Sequence, residues 1–305
     1  MQARPGGIWL TSASGRSMYV EDRPGGDGTQ PPILFVHGFA TNHSSWDDVT
    51  PELGKGRRMV VVDMPGFGFS ARPQGDYSPT ALAADLASVL DAVGVATADV
   101  VAHSWGSSLA LALALDHPTR VRRLVLIGPW VFDEQLPPIS RWARLPGVGE
   151  ALFSAFYAER PNEQAEAAYS DGHRVAQSLV DRIEAGHRRP GAVRAALAGV
   201  RGQCYLQMEP HYPSIGHPTL VINGGEDRIS RPRHGARLAR SLADARQQVI
   251  EGVGHLPMIE APATTGRLIV EFLERCPLAR AWSGQAGSAP GGTPRPTAAP
   301  GRAAP

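Results

Sequence analysis

Cysteine is scarce. Cys204 and Cys276 are the only two in 305 residues. Neither sits in a CxxC or CxxCH spacing, which excludes a zinc ribbon, a thioredoxin-type pair and an attached haem. Two free thiols in a reducing compartment is the expectation. Lysine is scarcer still. Lys55 stands alone, and arginine carries the rest of the positive charge. Acidic and basic side chains nearly cancel, leaving a net charge of +1, so nothing calls for nucleic acid as a partner. No apolar run reaches the roughly 18 residues of a membrane span. Residues 1–7 lack the apolar centre of a signal peptide. These absences predict a cytoplasmic protein with a small-molecule substrate, and neither nucleic acid nor membrane as partner. No two histidines share a metal-ligand spacing, and no Gly-Lys-Ser/Thr follows the glycine-rich turn at 63–70. No metal and no cofactor are therefore expected.

What is present is a series of short apolar runs, each ending in small or polar residues. Ile33 to Val36 leads into His37-Gly38-Phe39, and Met59 to Val62 into Asp63 and the turn at Gly66 and Gly68. Ala98 to Ala102 leads into His103-Ser104-Trp105-Gly106, and Val121 to Ile127 into Gly128-Pro129-Trp130. Pro218 to Ile222 ends in Gly224-Gly225-Glu226-Asp227, and Gln248 to Ile250 in Gly252-Val253-Gly254-His255. Such runs fit strands buried on both faces. Ile8 to Thr11 and Met18 to Glu21 read as an edge hairpin. Helices are predicted over 42–53, 79–93, 105–117, 233–242 and 263–275. From 131 to 212 no strand is evident. Helical pieces are predicted there over 140–158, 162–168, 175–185 and 191–206.

The alternation predicts an α/β fold: a mostly parallel central sheet with helices on both faces, plus an inserted helical cap. The core is assigned to 1–130 and 213–276 and the cap to 131–212. Residues 277–305, rich in Pro, Gly and Ala, have almost nothing to bury and are expected to be disordered. Ligands of such sheets bind beyond the carboxyl ends of the strands, where the cap enters and leaves.

Ala102-His103-Ser104-Trp105-Gly106 reads as strand, sharp turn and helix, with a serine at the apex and small residues two positions to either side. A serine hydroxyl is a poor nucleophile at neutral pH. It needs a base within hydrogen-bond reach, and that base needs a third group to orient it. His255 is the candidate base, carried on a glycine-flexible loop, with a pKa suited to taking and returning a proton. Asp227 is the candidate orienting acid, with Glu226 and Asp133 as alternatives. The backbone N–H groups of Phe39 and Trp105 are the candidate oxyanion donors, the second at a helix N-terminus.

In this order these motifs resemble the α/β-hydrolase fold with a helical cap, over about residues 8 to 276. The resemblance implies the chain order serine, aspartate, histidine. The turn Asp63-x-x-Gly66-x-Gly68-x-Ser70 and Val101-Ala102-His103-x-Trp105-Gly106 are similar to epoxide hydrolases and haloalkane dehalogenases. Those families carry an aspartate nucleophile where this chain has Ser104. Ser104-Trp105-Gly106-Ser107 through His117-Pro118 is similar to proline iminopeptidases, whose oxyanion loop His37-Gly38-Phe39-Ala40 does not match. His-Gly-Phe with a serine nucleophile resembles small carboxylesterases, perhydrolase-like enzymes and carbon–carbon bond hydrolases.

The first expectation is therefore a serine hydrolase of a small to medium apolar ester or lactone. Carbon–carbon bond hydrolysis of a dicarbonyl compound is the alternative, and a non-hydrolytic ligand-binding or cyclase role is the alternative from another class. His37, Trp130, Trp142, Phe153, Phe156 and Tyr157 are the expected pocket side chains.

Overall fold

The apolar runs become the strands of one sheet. The computed structural model describes residues 6–275 except 27, 54–55, 157–160, 173–174 and 204. Both cysteines, Lys55, Tyr157 and the 277–305 tail of the sequence reading lie outside the described residues.

The hairpin β1 (Gly7–Thr11) and β2 (Ser17–Arg23) is followed by β3 (Ile33–Val36) and β4 (Met59–Val62). Helix α1 (Pro79–Ala92), β5 (Ala98–His103), α2 (Trp105–Asp116) and β6 (Val121–Ile127) come next. Among the described residues, the insertion holds the α-helices α3 (Ile139–Ala143), α4 (Val148–Phe156), α5 (Pro161–Ala168), α6 (Gln177–His187), α7 (Ala192–Gly202) and α8 (Tyr205–Met208). The chain returns to the sheet as β7 (Thr219–Gly224), α9 (Pro232–Ser241) and β8 (Ala245–Ile250), and closes with α10 (Pro257–Glu260) and α11 (Pro262–Arg275).

The sheet order is β1-β2-β4-β3-β5-β6-β7-β8. Pairings β1–β2 and β2–β4 are antiparallel, and all others are parallel. β3, β4 and β5 are buried along their whole length, as their unbroken apolar sequences require. Each face carries its own core. Val36, Val62 and Ala102 pack towards α1 and α2, while Phe35, Val61 and Val101 pack towards Trp46 and α11.

Three predicted helices differ; that over 191–206 ends at Gly202, where Gln203 turns extended, and Tyr205–Met208 form a separate short helix. Residues 42–53 form two short 3-10 turns, His43–Trp46 and Thr50–Leu53. Asp63 Oδ1 takes the His43 backbone N–H at 2.7 Å, Asn42 Oδ1 takes that of Ser44 at 2.9 Å, and Pro51 disfavours helix at the residue before it. The predicted 140–158 helix is broken into α3 and α4, because Pro146 and Gly147 (φ 77°) intervene.

Burial also sets a pH response. It holds His37, His187, His217 and His234 below the ordinary histidine value of 6.5, and His103 well below it. Unfolded, each takes a proton near pH 6.5; folded, each stays neutral to lower pH. Stability is thus complete above pH 6.5 and is lost as the pH falls from there through the folded values. Scanning calorimetry from pH 8 to pH 5 is expected to show Tm falling below about pH 6.5. A Tm that rises on acidification would contradict this.

Candidate active site

Ser104 sits where β5 turns into α2, with φ 50° and ψ −122°. That backbone is strained for a residue with a Cβ, and strain of this kind holds a side chain out at an apex. The close approach that demands glycine at position 106 is to the neighbouring strand. A Cβ there would lie 2.5 Å from the His37 carbonyl oxygen and 2.6 Å from that of Val36. Gly38 is equally confined, since its Cβ would meet His103 Nδ1 at 2.6 Å and Ser104 Cβ at 3.2 Å. The start of α2, the His37-Gly38-Phe39 loop and Ser104 are therefore in contact.

His255 reaches Ser104 from beyond β8. Its Nε2 lies 2.9 Å from Ser104 Oγ, and its Nδ1 lies 2.8 Å from Asp227 Oδ2. The other carboxylate oxygen, Oδ1, accepts the N–H groups of Ile229 at 2.8 Å and Ser230 at 2.7 Å. Those amides fix the rotamer, so Oδ2 faces the imidazole. Asp227 accepts there and His255 Nδ1–H donates, which leaves Nε2 as the lone-pair nitrogen towards the serine. Glu226 is exposed, and neither it nor Asp133 contacts His255. Ser104, Asp227 and His255 are all buried.

Several residues hold this geometry that the sequence did not single out. His103 Nε2 donates to the His255 carbonyl oxygen at 2.9 Å, and its ring lies 4.8 Å from that of His255. This makes it a tie on the loop that carries His255. Glu260 is the second tie. Its Oε1 accepts from Gly254 at 3.0 Å and Leu256 at 3.3 Å, on both sides of His255, while Oε2 accepts from Ser170 of the insertion at 2.9 Å. The His255 N–H itself donates to Ala168 O of the insertion at 2.6 Å. Replacing Glu260 by Ala strands these amides and is expected to destabilise the fold by about 2 kcal/mol, read by urea denaturation. A change within experimental error would show that the carboxylate is dispensable.

A third set braces the loop before Phe39. The buried His37 accepts from the Met64 N–H through Nε2 at 2.9 Å and donates through Nδ1 to Gly38 O at 2.7 Å. Asp63 holds the other side, accepting from His43 and from the Phe69 N–H. Burial acts to raise the Asp63 pKa, but these hydrogen bonds and the two neighbouring imidazoles outweigh it and hold the carboxyl below its ordinary value.

Above Ser104 lies a cavity of about 390 Å³ between the sheet and the insertion. Phe39, Trp105 and Trp130 line it together with Ser104, His103 and His255. Small and branched apolar residues of the insertion, among them Ala165, Ala168, Leu179, Ile183 and Val200, complete it. Of the side chains expected here, Trp130 is on the wall and three, Trp142, Phe153 and His37, are not. Trp142 is 59% exposed, because Ser140 and Ala143 are the buried face of the short helix α3 and point Trp142 outwards. Phe153 belongs to α4, whose Glu150 and Ser154 border a separate surface groove. His37 is spent on the loop beneath. Tyr157 and the Phe156 side chain lie outside the described residues. Gln203, which the sequence did not flag, is on the wall.

A family model described as alpha/beta hydrolase fold matches residues 31–262, which span every element of this site. The chain belongs to the α/β-hydrolase fold family. It is similar to a 2-hydroxymuconate semialdehyde hydrolase of Pseudomonas sp., 33% identical over 258 residues, covering 79% of this chain and 86% of that one. It is 30% identical over 260 residues to a 2-hydroxy-6-oxo-2,4-heptadienoate hydrolase of Pseudomonas putida, covering 81% and 90% of the two chains. Among solved structures, the meta-cleavage product hydrolase CumD superposes with a TM-score of 0.73 at 26% identity, covering 88% of this chain and 98% of that one. This α/β-hydrolase is thus a hydrolase by kinship. Among the described residues, no helix is long and apolar enough to cross a membrane.

Proposed function

We propose that this α/β-hydrolase cleaves a carbon–carbon bond in a dicarbonyl compound, through an acyl-enzyme on Ser104. The observation that carries this reading over ester cleavage is the likeness, across about four-fifths of the chain, to hydrolases named for oxo-dienoates and semialdehydes. Such compounds contain no ester or amide, so their hydrolysis breaks carbon to carbon. The sequence alone ranked ester or lactone cleavage first; the relatives support the other order.

The chemistry needs what the site offers. His255 takes the Ser104 proton as the hydroxyl oxygen bonds to a ketone carbon, and Asp227 stabilises the imidazolium. Phe39 and Trp105 amides serve the oxyanion, the second at the N-terminus of α2. When the carbon–carbon bond breaks, its electron pair passes into the second carbonyl as an enolate, and that fragment takes the proton back from His255. Water then attacks the acyl-serine with His255 as base and releases a carboxylic acid. The apolar wall suits the carbon skeleton.

The second reading, hydrolysis of an apolar ester or lactone, is favoured by one feature: no carboxylate, lysine or arginine lines the described wall. The purified protein is to be assayed with a 2-hydroxy-6-oxo-dienoate, followed by loss of dienolate absorbance, and with p-nitrophenyl butyrate. The expected result is a kcat/KM at least about tenfold higher for the dicarbonyl. Ester turnover with the dicarbonyl untouched would overturn the proposal in favour of the second reading.

A further inference from the structure

One polar side chain on the apolar wall has a donor to spare. Gln203 ends α7, is only 5% exposed, and faces the cavity. Its amide orientation is fixed by chemistry. An indole N–H can only donate, so the atom 3.3 Å from Trp130 Nε1 must be the Gln203 oxygen. That leaves the Nε2 amide with both protons, and among the described residues the Gln203 side chain makes no hydrogen bond besides the one to Trp130. The position is also held. Arg144 donates to the Gln203 carbonyl at 2.6 Å, and the Gln203 N–H caps α7 on Val200 O at 3.3 Å. At the other end, the Trp130 N–H donates to the Ser104 carbonyl at 3.1 Å. The amide thus stands one tryptophan side chain away from the nucleophile.

We propose that Gln203 is a specificity-determining donor whose Nε2 binds a carbonyl or enol oxygen of the substrate remote from the carbon that Ser104 attacks, with Trp130 aiming it. This rests on the acyl-transfer reading of the site and names what the substrate carries besides the bond that breaks. Thr41 and His103, also on the wall, donate to Gly38 O and His255 O, which leaves Ser140 as the other hydroxyl near such an oxygen besides Ser104. A substrate lacking it leaves a nearly buried donor unpaired, and sites built around a hydrogen bond discriminate strongly for that reason. In the dicarbonyl reading, the oxygen bound is the one that becomes the enolate.

The test uses paired p-nitrophenyl esters of linear acids, one plain and others bearing an oxo group at successive chain positions. Wild-type protein is expected to prefer one oxo ester over its plain counterpart by about tenfold in kcat/KM. In Gln203→Met that ratio is expected to fall to near one, and in Trp130→Phe to fall part of the way. No preference at any position, or a preference that survives in Gln203→Met, would overturn the proposal.

A second arm does not depend on turnover. Ser104→Ala protein is titrated by calorimetry with a linear diketone and the matching monoketone. Tighter diketone binding, lost when Gln203→Met is added, supports the donor role; equal affinities overturn it. If no ester or dicarbonyl is turned over but the binding difference holds, the acyl-transfer reading fails and the assignment of Gln203 stands.

Discussion

Asp227→Asn is expected to lower kcat by about 10⁴-fold while leaving the fold intact. The cause is a forced tautomer. Asp227 Oδ1 accepts two backbone N–H groups, from Ile229 and Ser230. An asparagine must keep its oxygen there, because turning its NH₂ onto two donors would leave three donors facing one another. The NH₂ group then faces His255 Nδ1, in place of the oxygen now 2.8 Å away. The imidazole can meet it only with a lone pair, so its proton moves to Nε2. Nε2 now points a proton at Ser104 Oγ and cannot take one. Steady-state kinetics checks the rate, and circular dichroism with thermal melting checks the fold. A variant with near wild-type kcat would show that Asp227 does not govern the tautomer.

Gly106→Ala is the second large effect, and it acts through geometry alone. The added Cβ would meet the backbone oxygens of His37 and Val36 at 2.5 and 2.6 Å. Neither is the end of a flexible side chain, so β3 or the start of α2 must shift. His37 and Gly38 lead directly into Phe39, so the shift reaches the candidate oxyanion donors. Overpacking of this kind costs about 1–3 kcal/mol, and displacing one oxyanion donor costs about 10²–10³ in kcat. Both are expected together, by denaturant titration and by kinetics on the folded fraction. Wild-type stability and rate would show that the two backbones part without consequence.

The residues legible in the sequence are those that sit at strand ends. A strand buried on both faces is an apolar run, so its carboxyl end is visible wherever the run stops. Ser104, Asp227 and His255 each follow such a stop. The small residue at 106 marks the sharp turn at Ser104, although its close partner is β3 and the turn after it, which no single strand's pattern shows. The 42–53 segment was misread because Asp63, twenty residues on, holds its backbone.

The cavity wall was the least legible part. Large aromatics draw attention in a sequence, yet a wall that encloses space is built here of Ala165, Ala168 and Val200, whose smallness leaves the room. Whether an aromatic faces inwards depends on the buried side of a short helix, as Trp142 on α3 shows. Gln203 carried no sequence signal, since its role comes from Trp130, more than seventy residues away in the chain. Glu260, five residues after His255, was within reach of a reading that asked what holds the base's loop.

The central claim is that Ser104 is a nucleophile activated by His255. Phosphonofluoridate labelling of the folded protein, followed by peptide mass spectrometry, tests it most directly. The expected result is one adduct per chain, on Ser104, that is absent from Ser104→Ala protein and strongly slowed in His255→Ala. Folded protein that takes no label, or takes it at another residue, would contradict the claim.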